Sequence, residues 1–211
     1  MLMTRRTIGW LAATLLSFAA LGAHAQAKAP EALIKEVSTD VLDAVKADKT
    51  IRAGDLSKVI ALVDQKVLPY VNFQRMTAAA VGRYWRQATP EQQKRLQDEF
   101  KLLLVRTYSG ALSQVSPEQK VELKPMRASP SDQEVVVRTE IRGKGDPIQL
   151  DYRLEKAADS WKIYDVNVLG VWLVENYRNS FAQEIGANGI DGLIAKLAER
   201  NKAAAAGGAK S

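Results

Sequence analysis

The stretch VVVRTEIRGKGDPIQLDYRLEKAADSWKIYDVNV, residues 135–168, decides the fold. Val135, Val137, Thr139 and Ile141 share one face of a strand, and Ile148, Leu150, Tyr152 and Leu154 form the face of another. A period of two is the pattern of a half-buried strand. Gly143-Lys144-Gly145-Asp146-Pro147 between them is a hairpin-type loop; it lacks the spacing and the strand-to-helix setting of a phosphate loop. Trp161 to Val168 reads as a strand apolar on both faces, Trp161 and Ile163 on one, Tyr164, Val166 and Val168 on the other. Such a strand is expected to be covered on both sides. Val121 and Leu123 alternate with charges just upstream, which makes an antiparallel meander of about four strands.

The flanks are helical. Leu33, Ile34, Val37, Val41, Leu42 and Val45 recur at helical spacing, and Val59, Ile60, Val63 and Val67 make a second stripe that ends at Pro69. Asn72 can cap a helix starting at Phe73. Thr89, Pro90 and Gln92 spell a capping box, opening a helix to about Ser113. After the sheet, helices are expected from about Val171 to Ile185 and from Gly189 to Asn201, followed by a disordered tail at 202–211. The fold class is α+β: an antiparallel sheet covered by helices from both ends of the chain, with room for those helices to tent over a cavity.

Residues 1–25 have the form of a secretory signal peptide: Arg5 and Arg6, an apolar run from Ile8 to Leu21, and an Ala23-His24-Ala25 cleavage site. Cleavage after Ala25 leaves a mature chain of about 186 residues in a bacterial periplasm, with a single domain expected over 26–201, long enough for one buried core. The chain holds 30 basic and 24 acidic residues; losing two arginines with the leader lowers the formal charge from +6 to +4. Charges of both signs are interspersed, so nucleic acid is a poor partner, and a modest attraction to anionic lipid surfaces fits better.

There is no cysteine, and the only histidine is His24. The mature chain therefore has no Ser-His or Cys-His pair, no thiolate and no His/Cys zinc site. A carrier is expected, with no catalytic residue, metal or cofactor. Asp165 stands mid-strand among apolar neighbours; it is either a lone general base or, in the simpler role, the partner of a structural arginine. Arg83, Arg86 and Arg178 lie near aromatic clusters and are candidates to meet a phosphate headgroup.

The run Val67-Leu68-Pro69-Tyr70-Val71-Asn72-Phe73 through Gly82-Arg83-Tyr84-Trp85-Arg86 resembles the hallmark of the MlaC family, the toluene-tolerance auxiliary proteins. The pattern continues in Thr89-Pro90-Glu91-Gln92, Leu104-Val105-Arg106-Thr107-Tyr108, Trp161-Lys162-Ile163-Tyr164-Asp165-Val166, Gly170-Val171 and Asn176-Tyr177-Arg178-Asn179-Ser180-Phe181, over most of 31–200. Asn72 stands where the family often has an acid, expected to change only the strength of a helix cap. Trp172 stands where it often has a small polar residue, and either fills space or touches ligand.

The resemblance implies a cone-shaped domain, related to nuclear-transport-factor-like folds, with acyl chains inside. It implies a shuttle that carries phospholipid as cargo between an outer-membrane lipoprotein complex and an inner-membrane ABC transporter complex. Within such a domain Val137, Leu150, Tyr152, Ile163, Val166 and Val168 would line the cavity from the sheet. Tyr84, Trp85, Leu104 and Tyr108 would cover it from the first half, and Val171, Val174, Tyr177 and Phe181 from the last helices. A cavity for two tails should reach or exceed the top of the usual ligand-pocket range, roughly 1,000 Å³. Beside a phospholipid carrier stand a carrier of another hydrophobe such as a hopanoid, an enzyme pairing Asp165 with a tyrosine, and a periplasmic adaptor with a fully packed core.

Overall fold

Four helix starts follow capping chemistry written in the sequence, at Asp48, Asp55, Asn72 and Thr89. The computed structural model describes residues 28–127, 129, 131–158 and 160–208. The signal peptide and cleavage site expected at 1–25 lie outside the described residues, as do 209–211. Helix α1 spans Pro30–Ala47 and buries Leu33, Ile34, Val37, Leu42 and Val45. A four-residue helix α2, Lys49–Arg52, follows; it is too short to leave a periodic signal, and Asp48 caps it. Helix α3, Leu56–Lys66, starts where the Asp55 carboxylate accepts the amides of Ser57 and Lys58. Helix α4, Phe73–Val81, starts under Asn72, and α5, Pro90–Ser109, starts on the full Thr89/Gln92 capping box. A 3₁₀ segment then runs to Gln114.

The fold is α+β, and its sheet is a five-stranded antiparallel meander in the order β1-β2-β3-β4-β5: Lys120–Leu123, Glu134–Arg142, Ile148–Lys156, Trp161–Val168 and Val171–Trp172. The fifth strand is one more than the pattern suggested. It takes two residues that periodicity gave to the next helix, because a turn at Leu169 and Gly170 folds them back onto β4.

The expectation that β4 is apolar on both faces needs correction. Leu150 opposes Val168 and Tyr152 opposes Val166, but Leu154 opposes Ile163, so β4 carries one extra residue, a β-bulge at Tyr164. A bulge resets the alternation of faces. Ile163 therefore lies on the same face as Val166, Val168, Val135 and Val137, while Arg153, Asp165 and Asn167 share the other. The sheet is thus one-sided, with an apolar face under the helices and a charged face behind it.

On the charged face the Asp165 carboxylate accepts the amides of Val166 and Val174 and pairs with Arg153 at 3.0 Å. This is the structural arginine partner, and it ties β4 to the chain that leads into the last helix. Burial pushes the Asp165 carboxyl up from its ordinary value, while the Val174 amide and Arg153 pull it back. Trp172 lies under the Arg153 guanidinium, 3.9 Å from ring centroid to charge centre, so it fills space on this face. Asn72 does more than cap: its Nδ2 donates to Glu155 at 2.6 Å, which an acid in its place cannot do.

The β4–β5 turn is strained. Leu169 has φ 51° and Gly170 φ 92°, the two-residue arrangement whose right-handed twist suits a tight hairpin. Gly170 adopts it freely, whereas Leu169 is a bulky residue in the left-handed region and is 64% exposed. Asparagine tolerates that region, so Leu169→Asn is expected to raise unfolding free energy by about 1 kcal/mol. Urea titration checks this, and a loss of stability would contradict it.

Helix α6 is assigned as Leu173–Gly208 with a break at Gly189, φ 71° and ψ −179°, so it is two helical pieces joined at the expected glycine. The second piece is assigned to Gly208, past the Asn201 at which the helix was expected to end. Ala203 to Ala206 belong to the residue type with the highest helix propensity, which outweighs the small, loop-like composition.

Three apolar clusters hold the elements together. α1 packs Leu33, Ile34 and Val37 on Val135, Val137, Leu154 and Ile163. α4, α5 and α6 share a second core around Phe100, Phe181 and Ile194. Val45, Ile51, Val59, Leu62 and Val105 join α1, α2, α3 and α5 in a third.

Candidate functional site

The space between these cores is the candidate site. A cavity of about 270 Å³ lies among α3, α4, α5 and the end of β4. Val59, Val63 and Val67 form the wall on α3 and the turn after it, because residues four apart share a helix face. Val71, Phe73 and Met76 close a second side, and Leu104, Val105, Tyr108 and Leu112 of α5 and its extension a third. Val166, Val168 and Leu173 supply the floor. The polar lining is confined to α5: Lys101, Ser109 and the Tyr108 phenol. Burial pushes the Tyr108 phenol up, so it stays neutral. Lys101 runs its aliphatic stem along the cavity and pairs with Asp64 of α3 at 2.9 Å.

Four of the residues named from sequence meet here: Leu104, Tyr108, Val166 and Val168. Val174, Tyr177 and Phe181 are buried instead in the α4-α5-α6 core, where Tyr177 and Phe181 contact Phe100 edge-on at 5.2 and 5.3 Å. Tyr84 and Trp85 pack against that same core. Val137 and Ile163 are buried under α1, and Tyr152, half-buried there, shares a hydrogen bond with Ser38 at 3.2 Å. Leu150 is half-buried beside Val168 in the register. Val171 is 47% exposed on the β4–β5 hairpin.

The three arginines are elsewhere. Arg83 and Arg178 border an open groove at the far end of α4, floored by Ala78, Ala79 and Gly82, and Arg86 is exposed on the same segment as Arg83. Arg83 donates to the Tyr84 hydroxyl, and Arg178 Nε donates to the Ala79 carbonyl. Among the described residues neither these three nor any carboxylate lines the cavity, and the charged group that does is Lys101.

Sequence reading passed over the α3 wall, Phe73, Met76, Leu112 and Leu173. The signal for α3 was present, since Val59, Val63 and Val67 form its stripe, but a stripe does not say whether it meets other side chains or a void. The volume also departs from expectation. About 270 Å³ is below the roughly 300–1,000 Å³ of ordinary ligand pockets, because α3 lies close against α5.

A family model described as MlaC protein matches residues 35–199. The chain is 26% identical over 185 residues to the toluene tolerance protein ttg2D of Pseudomonas putida, covering 84% of this chain and 86% of that one. It is 25% identical over 172 residues to the intermembrane phospholipid transport system binding protein MlaC of Haemophilus influenzae, covering 80% of each. Among solved structures it is similar to a phospholipid-binding protein of Ralstonia solanacearum in complex with a phospholipid, with TM-score 0.79 and 49% identity. That match covers 83% of this chain and 98% of the other.

Proposed function

The chain belongs to the MlaC family, and from that membership we infer that it is a periplasmic phospholipid carrier whose acyl tails occupy the space between α3, α5 and β4. One observation carries the reading: an almost wholly apolar cavity on a fold shared, at 49% identity, with a protein solved with phospholipid bound. Exposing tails to water costs about 0.8 kcal/mol per methylene, so two tails of roughly fifteen methylenes each cost on the order of 20 kcal/mol. A carrier lowers that barrier by offering apolar walls throughout the crossing. The reaction is transfer, with no bond made or broken.

Two tails need more room than about 270 Å³, so loading requires the walls to part, and the short α3 that faces α5 across the cavity is the wall assigned that motion. The pivot for that motion is the third core, where Val59 and Leu62 of α3 meet Val45, Ile51 and the α5 residue Val105, so α3 turns about that core rather than leaving it. The cargo comes from an outer-membrane lipoprotein complex and goes to an inner-membrane ABC transporter complex, or travels the reverse way. The leader at 1–25 delivers the chain to that compartment. Mass spectrometry of an organic extract of the freshly purified protein tests the reading. Co-purifying diacyl phospholipid supports it. A hopanoid or other hydrophobe, or an empty extract with no uptake of added lipid, refutes it.

A further inference from the structure

We propose that Lys101 is the residue that contacts the lipid phosphate, and that the phosphate takes it from Asp64, loosening α3 from α5 as the tails enter. The inference rests on the carrier reading above. Its starting point is a mismatch of places. The arginines that look suited to phosphate border a separate groove, whereas the cation whose stem lines the cavity is Lys101. No carboxylate lines that cavity among the described residues; the acid that holds the Lys101 ammonium, Asp64, lies outside the lining.

Geometry gives Lys101 a second role. Its ammonium reaches Asp64 across the gap between α5 and α3 at 2.9 Å, with the two side chains 28% and 42% exposed. A pair this open is weak, because water and salt screen it. A phosphate tethered to tails already in the cavity arrives at high effective concentration and outcompetes the carboxylate. The ammonium need not travel far, since a lysine has three donors on a flexible stem. Once Asp64 is released, α3 keeps the Lys66–Asp40 contact to α1, at 3.7 Å, and its apolar anchor, so it can hinge without detaching. The pair is therefore a small added brake on α3 that a phosphate-bearing lipid removes.

The test compares binding of phosphatidylglycerol and of diacylglycerol with identical chains, using the full chain and the variants Lys101→Gln, Lys101→Arg and Asp64→Asn. Wild type is expected to hold phosphatidylglycerol about tenfold more tightly than diacylglycerol, the size of one partly exposed charge-assisted hydrogen bond. Lys101→Gln removes that preference while diacylglycerol binding persists, and Lys101→Arg restores it. Asp64→Asn strengthens phosphatidylglycerol binding several-fold, the opposite sign from a pair that merely supports the fold. Inorganic phosphate alone, lacking tails, neither binds nor displaces. An unchanged preference in Lys101→Gln, weaker phosphatidylglycerol binding in Asp64→Asn, or tight binding of inorganic phosphate overturns the inference alone. Failure of wild type to bind either lipid overturns the carrier reading, and this inference with it.

Discussion

Val168→Asp is expected to abolish phospholipid retention, by a hundredfold or more, while the protein still folds. Val168 ends β4 and is half-buried on the floor of the cavity, beside the hairpin that carries the exposed Leu169. A carboxylate placed there keeps water while the cavity is unfilled, so the cost to folding is modest. When acyl tails cover it, the charge loses that water and meets hydrocarbon. Burying an unpaired charge costs several kcal/mol, and about 3 kcal/mol already exceeds a hundredfold in affinity. Val168→Ala, which keeps the surface apolar, should lose far less. Lipid carried through purification, measured beside circular dichroism and urea unfolding, decides the matter. A folded Val168→Asp protein with normal lipid content would contradict the tail path.

Phe100→Ala should produce the largest loss of stability, about 3–5 kcal/mol. Phe100 is fully buried at the centre of the α4-α5-α6 core, with ring centroids 5.2 Å from Tyr177, 5.3 Å from Phe181 and 5.9 Å from Phe73. Its removal leaves a void that these rings cannot close, since Phe73 is held on α4 and Tyr177 and Phe181 on α6. A loss of that size is a large share of the roughly 5–15 kcal/mol that a domain possesses. Because Phe73 also lines the cavity, the variant should lose lipid through slackening of that wall. Denaturant midpoints check the first effect; a shift corresponding to less than about 1 kcal/mol would contradict the central placing of this ring.

What the sequence made legible was local. Thr89, Pro90 and Gln92 fixed the start of α5, and Asn72 the start of α4, because a cap is written within three residues of the helix it opens. The meander was legible for the same reason: hairpins join neighbours in the chain. The bulge at Tyr164 was not, since it exists only as a mismatch between two strands. It turned an apparently two-sided strand into a one-sided one and left Asp165 on the charged face. The cavity was half legible. Leu104, Tyr108, Val166 and Val168 carried the pattern of inward-facing residues, but so did Phe181 and Val137, which fill core. Period identifies the side chains that turn inward; whether they meet another side chain or a void is decided by how helices cross. The arginines Arg83, Arg86 and Arg178 show the same limit for charge, because guanidinium chemistry says what can be bound but not which pocket it faces.

The central claim is that the guest's tails lie between α3, α5 and β4, and phospholipid brominated along its acyl chains locates them most directly. Anomalous scattering from crystals of the loaded protein should place the bromines beside Val63, Leu104, Tyr108 and Val168, with α3 shifted outward from α5. Bromine peaks in the groove beside Arg83 and Arg178, or on the charged face of the sheet near Arg153, would contradict the account.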